Sequence, residues 1–244
     1  MNKIIGLLPV RLESSRLPGK ALKDVEGLPA IIHAYKRANL AKRLDDVYIC
    51  TDSDEIIEVA KEHGCNFIKT SHHRNGSERI NEAVKDIDAD IIINIQGDEV
   101  LVDPVHIDQV ASEMIDNCPE YCMGVTPFNK FNSSQDFKAV LDLLGNLIYC
   151  SRSDIPSQSI NGTELLKVVF IVGFTKASLK QFVEWPETSL ERAEPNEFLR
   201  ILEHGHKIKT VKMDHAHISL DTYSDLQEIR QLMKSDKLYK TYRK

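Results

Sequence analysis

The chain has little of what covalent or metal frameworks are built from. Its five cysteines, Cys50, Cys65, Cys118, Cys122 and Cys150, are odd in number and scattered, and no two form a Cys-x-x-Cys pair. Cys118 and Cys122 lie four apart without a second pair at ligand spacing, so the thiols read as reduced in a reducing compartment. No run of about 18 apolar residues is available to span a bilayer. The N-terminal "KIIGLLPV" is strand-like and leads straight into charged residues, which makes it a poor secretory leader. Positive charge is also short: 31 Lys and Arg against 37 Asp and Glu give a net −6, which argues against a general nucleic-acid-binding face. The locally basic end "KSDKLYKTYRK" reads as a solvated helix end or frayed tail. A cytoplasmic protein is expected, with no membrane insertion and no nucleic-acid partner.

What is present is a strong α/β rhythm. "KIIGLLPV", "DVYICT", "NFIKT" and "ADIIINIQ" read as strands. Between and after them, helical patterns run from roughly Pro29 to Ala41, then over "DEIIEVAKEHG", "SERINEAVKDI" and "DPVHIDQVASEMID". Near-continuous Val/Ile strands separated by such helices predict a doubly wound, mostly parallel sheet covered on both faces. After about Thr126 the rhythm changes. "KAVLDLLGNLIYCSR" reads as two strands around a turn, and "KVVFIVGFT" as a long strand. Helices are expected over Lys176–Glu184 and Glu194–His204 and from Thr222, with a strand "IKTVKM" before the last. The expectation is a single domain, 1–244. Residues 1–126 carry the parallel α/β part, and residues 127–244 form an inserted β-rich part. Its strands "VVFIVGF" and "LDLLGNLIY" would otherwise carry unpaired edges.

The most informative stretch is "PVRLESSRLPGKAL", residues 9–22, where Arg11, Arg16 and Lys20 crowd a Gly- and Pro-punctuated loop after the first strand. In open parallel sheets ligands bind beyond the carboxyl ends of the strands. Cations and free backbone N–H groups there make an anion cradle. The loop carries neither the Gly-x4-Gly-Lys-Ser/Thr phosphate-loop spacing nor a dinucleotide Gly-x-Gly-x-x-Gly. Asp98, in "NIQGDE", falls at the end of another strand, where its carboxylate suits Mg²⁺; a turn or cap role is the plain alternative.

The loop resembles the signature of nucleotidyltransferases that activate sugars, and most closely that of the 3-deoxy-manno-octulosonate (Kdo) cytidylyltransferase family. "ICTDSDEI", "NGSERINEAV", "NIQGDE", "YCSRSDIP" and "LDTYSDL" extend the likeness along nearly the whole chain, in order. The resemblance implies a nucleotide-diphospho-sugar transferase-like fold, a homodimer, and transfer of CMP from CTP to a sugar acid with release of pyrophosphate, with residues 1–126 mainly binding the nucleotide and 127–244 mainly the acceptor and the dimer partner. It puts Arg11, Lys20 and Asp98 in the catalytic set, with Arg16 and Ser14 assisting on the triphosphate. It implies the backbone around Leu8 and Pro9, with Thr51, Asp52 and Ser77, around cytosine and ribose, and Asp221, in "SLDTYSDL", as the second Mg²⁺ ligand. A helix-cap role is the rival for Asp221. Arg79 and Arg152 match arginines that hold the acceptor's carboxylate or a nearby phosphate, surface ion pairing being the alternative, and Gln96 lies near the acceptor.

The pattern breaks in the second half. The family's His-x-Gly-Ile-Tyr-x-Tyr strand reads "VVFIVGF" here, with Val168 at the His position and Val172 at the first Tyr. Its Leu-Glu-Gln-Leu-Arg reads "NEFLR", which keeps Glu197 and Arg200 but places Phe198 where Gln stands. Apolar groups in place of hydroxyl partners predict an acceptor other than plain Kdo, such as a modified ulosonic acid or a phosphonate. A non-catalytic nucleotide-binding relative is the alternative from another class. His215 and His217 in "DHAHI" face the same way in an extended segment. They are candidates for reaching that acceptor or, lacking a carboxylate to complete a set, weak candidates for a transition metal.

Overall fold

In the computed structural model of the chain, residues 2–157 and 164–243 are described. The strands are β1 (Ile4–Pro9), β2 (Asp24–Val25), β3 (Leu28–Pro29), β4 (Asp46–Thr51), β5 (Phe67–Lys69) and β6 (Ile91–Ile95). They continue with β7 (Tyr121–Phe128), β8 (Lys138–Leu141), β9 (Leu147–Ser151), β10 (Leu165–Thr175) and β11 (Lys209–Lys212). The helices are α1 (Ala30–Ala38), α2 (Asp54–Glu62), α3 (Gly76–Ala83), α4 (Pro104–Asp116) and α5 (Lys176–Glu184). Four more follow: α6 (Ser189–Ala193), α7 (Leu199–Glu203), α8 (Tyr223–Ser235) and α9 (Tyr239–Tyr242).

The main sheet runs β11-β7-β10-β6-β1-β4-β5, with the β8–β9 hairpin attached to β10. Pairing along the row is parallel except on either side of β10, which is antiparallel to β6 and β7. All six residues of β1 are buried, because helices cover both faces. Ile4 and Leu8 join the layer under α1, α2 and α4, while Ile5 and Leu7 join the layer under α3, α5 and α7. The period of two along the strand thus sorts its side chains between two cores.

Three expectations change. The β-rich second half does not stand apart: β7, β10 and β11 extend the same sheet, and "VVFIVGF" lies in β10 at its centre, not at an edge. Its neighbours on both sides satisfy the backbone that an edge would leave open. The basic C-terminal end is not a frayed tail. Tyr242 is buried, its hydroxyl accepting from Arg37 Nε at 3.1 Å and lying 2.9 Å from His33 Nδ1, and Tyr239 donates to the Glu26 carbonyl. The two tyrosines anchor a segment whose charges stay in water. The helix expected over 194–204 is shortened to α7, and the turn around Pro195 separates it from α6, a helix the sequence pattern does not announce. Among the described residues, no helix is long and apolar enough to cross a membrane.

The chain moves from β1 outward to β4 and β5, then returns to the other side of β1 as β6. Strand order reverses there, and the loops after β1 and β6 leave the same edge side by side, with Leu7 opposite Asn94. That crevice is where an open α/β sheet takes a ligand.

Candidate active site

Loop 10–20 becomes a cradle through one backbone device. Gly19 adopts φ +64°, a left-handed value that favours glycine, and turns the chain into a single 3₁₀ turn over Lys20–Leu22. The turn holds Lys20 by its backbone, N–H to the Leu17 carbonyl at 3.1 Å, and aims the side chain back at the strand ends. On the other lip Gly97 approaches β1 closely: a Cβ there would lie 3.0 Å from the Pro9 carbonyl oxygen. Any side chain would wedge the two loops apart.

Asp98 and Asp221 are brought together from opposite ends of the sequence. The Leu220 N–H donates to the Asp98 carbonyl at 3.0 Å, and Leu220 packs with Leu17, Leu101, Leu226 and Ile229 in a third apolar cluster. Thr222, not Asp221, caps α8: its hydroxyl accepts from Asp225 N–H, and Asp225 reciprocates. The cap role that rivalled a ligand role for Asp221 is therefore filled by its neighbour. Lys20 Nζ lies 2.6 Å from Asp98 Oδ2 and 3.0 Å from Asp221 Oδ1, and Arg16 Nη2 reaches the same Asp221 oxygen at 2.9 Å. Burial works against the Lys20 charge, but attraction and hydrogen bonds to the two carboxylates outweigh it, and its pKa is raised. Next to them, burial and the charge of Asp98 push Glu99 up to about 7, while its carboxylate accepts from Ser219.

The cleft, about 370 Å³, is lined by Pro9, Arg11, Ser14, Arg16, Lys20, Arg79, Gln96 and Asp98, among others. Its far wall comes from the segment before α3, His73 to Gly76, a contribution the sequence reading did not assign. Asn75, the N-cap of that helix, was the available signal. Arg79 is almost wholly buried, held by Thr70 Oγ1 at 2.7 Å and Asp52 Oδ1 at 3.2 Å. The desolvation of Asp52 is outweighed by this guanidinium, which keeps the carboxyl below its ordinary pKa. Asp52 thus acts on the cleft through Arg79.

Other predicted residues are placed elsewhere. Leu8 and Thr51 are fully buried, and Ser77 donates to Glu197 Oε1 at 2.9 Å. Val168, Val172 and Phe198 lie in the core beneath α5 and α7 and do not line the cleft; a strand covered on both faces packs such side chains inward. Phe198 stacks on Phe182. Arg152 sits over the Phe137 ring at 4.3 Å and donates to the Ser134 carbonyl at 2.6 Å, outside the cleft. His215 and His217 likewise face away from it, toward Asp214 and Asp103.

Glu197 carries a measurable consequence. Its Oε2 is buried with no partner among the described residues, and burial pushes the carboxyl up to about 7 against the hydrogen bond from Ser77. Between the ordinary carboxyl value of 4.5 and about 7 the folded chain keeps a proton that the unfolded chain has released. Stability from this group is therefore lost as pH rises through that window. Glu197→Gln is expected to melt like the parent near pH 5 and roughly 5–10 °C higher near pH 8, read from thermal unfolding at both values.

Comparison with known proteins agrees with this geometry. The family model described as "Cytidylyltransferase" matches residues 5–208. The chain belongs to the cytidylyltransferase family. It is a nucleotidyltransferase of the Kdo branch: it is 37% identical over 243 residues to a 3-deoxy-manno-octulosonate cytidylyltransferase of Chlorobium limicola, covering 96% of this chain and 98% of that one. It is also 36% identical to an 8-amino-3,8-dideoxy-manno-octulosonate cytidylyltransferase of Shewanella frigidimarina, over 93% of this chain and 96% of that one. A solved CMP:2-keto-3-deoxy-manno-octonic acid synthetase in complex with CTP superposes with a TM-score of 0.91 at 30% identity, covering 95% and 98%. The α/β expectation holds, with the second half absorbed into one sheet.

Proposed function

We propose that this cytidylyltransferase transfers CMP from CTP to a hydroxyl of a Kdo-like sugar acid, with Mg²⁺ held by Asp98 and Asp221. One observation carries the reading: a single ammonium, Lys20, touches both carboxylates at the rim of a cleft whose other lip is lined with cations. Two hard oxygen donors facing one point, beside groups suited to phosphate, match what Mg²⁺ asks for: one or two carboxylates completed by phosphate oxygens. When bound, the ion supplies charge neutralisation at the reacting phosphate.

The chain's own residues supply the rest. Arg11 and Arg16 hold the outer phosphates, and Lys20 exchanges its carboxylate partners for a phosphate oxygen as the nucleotide enters. Arg79, fixed by Thr70 and Asp52, offers a pre-set cation to the acceptor's carboxylate, with Gln96 beside it. The acceptor oxygen forms a bond to the α-phosphorus, the bond to the bridging oxygen breaks, and pyrophosphate leaves. Such a transfer depends on positioning more than on covalent help from the protein. The product serves surface polysaccharide assembly from the cytoplasm, and the working unit is a homodimer.

A modified ulosonic acid is the second reading of the acceptor. The relative that acts on an 8-amino-3,8-dideoxy acid supports it. The burial of Val168, Val172 and Phe198 weakens the pocket argument first raised for it. Pyrophosphate release from CTP and Mg²⁺ across Kdo, its 8-amino analogue and a phosphonate tests both. Turnover is expected with a ulosonic acid and not with UTP in place of CTP. Failure with every acid would overturn the assignment.

A further inference from the structure

Five side chains the cleft does not use converge where α4 begins: Asp103, His106, Asp214, His215 and His217. More than a hundred residues of sequence separate Asp103 and His106 from Asp214, His215 and His217. Asp103 divides its oxygens. Oδ1 accepts from Val105 N–H at 2.8 Å to cap α4, and Oδ2 lies 3.8 Å from His215 Nε2. His215 Nε2 and His217 Nε2 are 3.0 Å apart. Behind them Asp214 Oδ1 lies 2.6 Å from His215 Nδ1 and 2.9 Å from His106 Nε2. A carboxylate on Nδ1 keeps the proton there, so the lone pair of His215 sits on Nε2 and points at His217.

We infer that Asp103 Oδ2, His215 Nε2 and His217 Nε2 form a binding site for a divalent transition metal of the zinc class, oriented by Asp214 and separate from the reaction cleft. Zinc at about 2.0–2.1 Å from each donor places tetrahedral ligand atoms roughly 3.3 Å apart. The 3.0 and 3.8 Å separations bracket that value, and all three donor atoms lie within 4.8 Å of one another, so a shift of the Asp103 carboxylate would close the set. Two imidazoles and one carboxylate favour zinc, cobalt or nickel over magnesium. The fourth position is left to water. His217 is three residues from Leu220, whose N–H donates to the Asp98 carbonyl. A metal here ties the start of α4 to the segment that carries Asp221.

The test titrates the metal-free full chain with Zn²⁺ by calorimetry in excess Mg²⁺, and with Co²⁺ by visible absorption. One equivalent per chain is expected, with cobalt bands of a nitrogen/oxygen tetrahedral site. His217→Gln and, retaining the α4 cap, Asp103→Asn are each expected to weaken binding at least about 10–100-fold, and Asp214→Asn by a similar factor through His215. Asp98→Asn is expected to leave it intact, which separates this site from the proposed Mg²⁺ pair. Absence of a stoichiometric site, its survival in His217→Gln, or its loss in Asp98→Asn would each overturn the inference.

Discussion

Asp98→Asn is expected to lower the rate of pyrophosphate release from CTP by about 10²–10³-fold or more, with little change in the unfolding midpoint. The substitution keeps the shape of the side chain and leaves the carbonyl that receives Leu220 N–H untouched, so the junction between the β6 loop and the segment before α8 survives. What disappears is one of two charges facing Lys20. The ammonium then loses its largest support against burial, and its raised pKa falls back. A neutral amide is also a weaker ligand for a hard dication. Asp221→Asn should behave alike, with Arg16 losing its partner as well. Raising Mg²⁺ should recover part of the rate in either variant, a response that a folding defect would not give. A rate within tenfold of the parent for both would remove the carboxylate pair from the chemistry.

The sequence displayed much of this arrangement because its parts are local. Strand and helix follow from apolar period, and Arg11, Arg16 and Lys20 lie within ten residues of one another at the end of a strand. Asp98 was legible for the same reason, standing just past a buried run. Asp221 was legible only by likeness to a family, since its cap role and its ligand role look identical in one dimension until Thr222 is seen to hold the cap. Two features stayed hidden. The Asp103–His215–His217 cluster is assembled by long-range packing, and no spacing within either segment announces the other. The acceptor residues failed differently. Position in a motif points to Val168, Val172 and Phe198, but the two valines on β10 and Phe198 at the start of α7 pack into one buried core, and the register of β10 shifts between Val169 and Val172. Tyr242 was concealed by the charges around it, although an aromatic ring with a polar tip is suited to docking a basic helix.

Arg200→Ala is expected to cost about 3–5 kcal/mol of folding stability, the largest loss of any single substitution considered, because it strands a buried charge. Arg200 is 2% exposed and grips Glu191 with two bonds, Nε to Oε2 at 2.7 Å and Nη2 to Oε1 at 2.5 Å. Its Nη1 donates to the Phe182 and Trp185 carbonyls at 3.3 and 3.1 Å, and the guanidinium lies over the Phe182 ring. One side chain thus fastens the end of α5 to α6 and α7. Alanine leaves the Glu191 carboxylate, itself 8% exposed, without its cation, and leaves two carbonyls short of a donor. Arg200→Lys keeps the charge but not the planar fork, so its loss should be smaller. The decisive comparison is Arg200→Met with Glu191→Gln. Removing both charges should recover part of what Arg200→Ala loses, because the penalty lies in the unpaired ion more than in the missing attraction. Urea unfolding of the three variants reads these differences directly. If the double variant is no more stable than Arg200→Ala, the cost comes from lost packing around Phe182, and the charge argument fails.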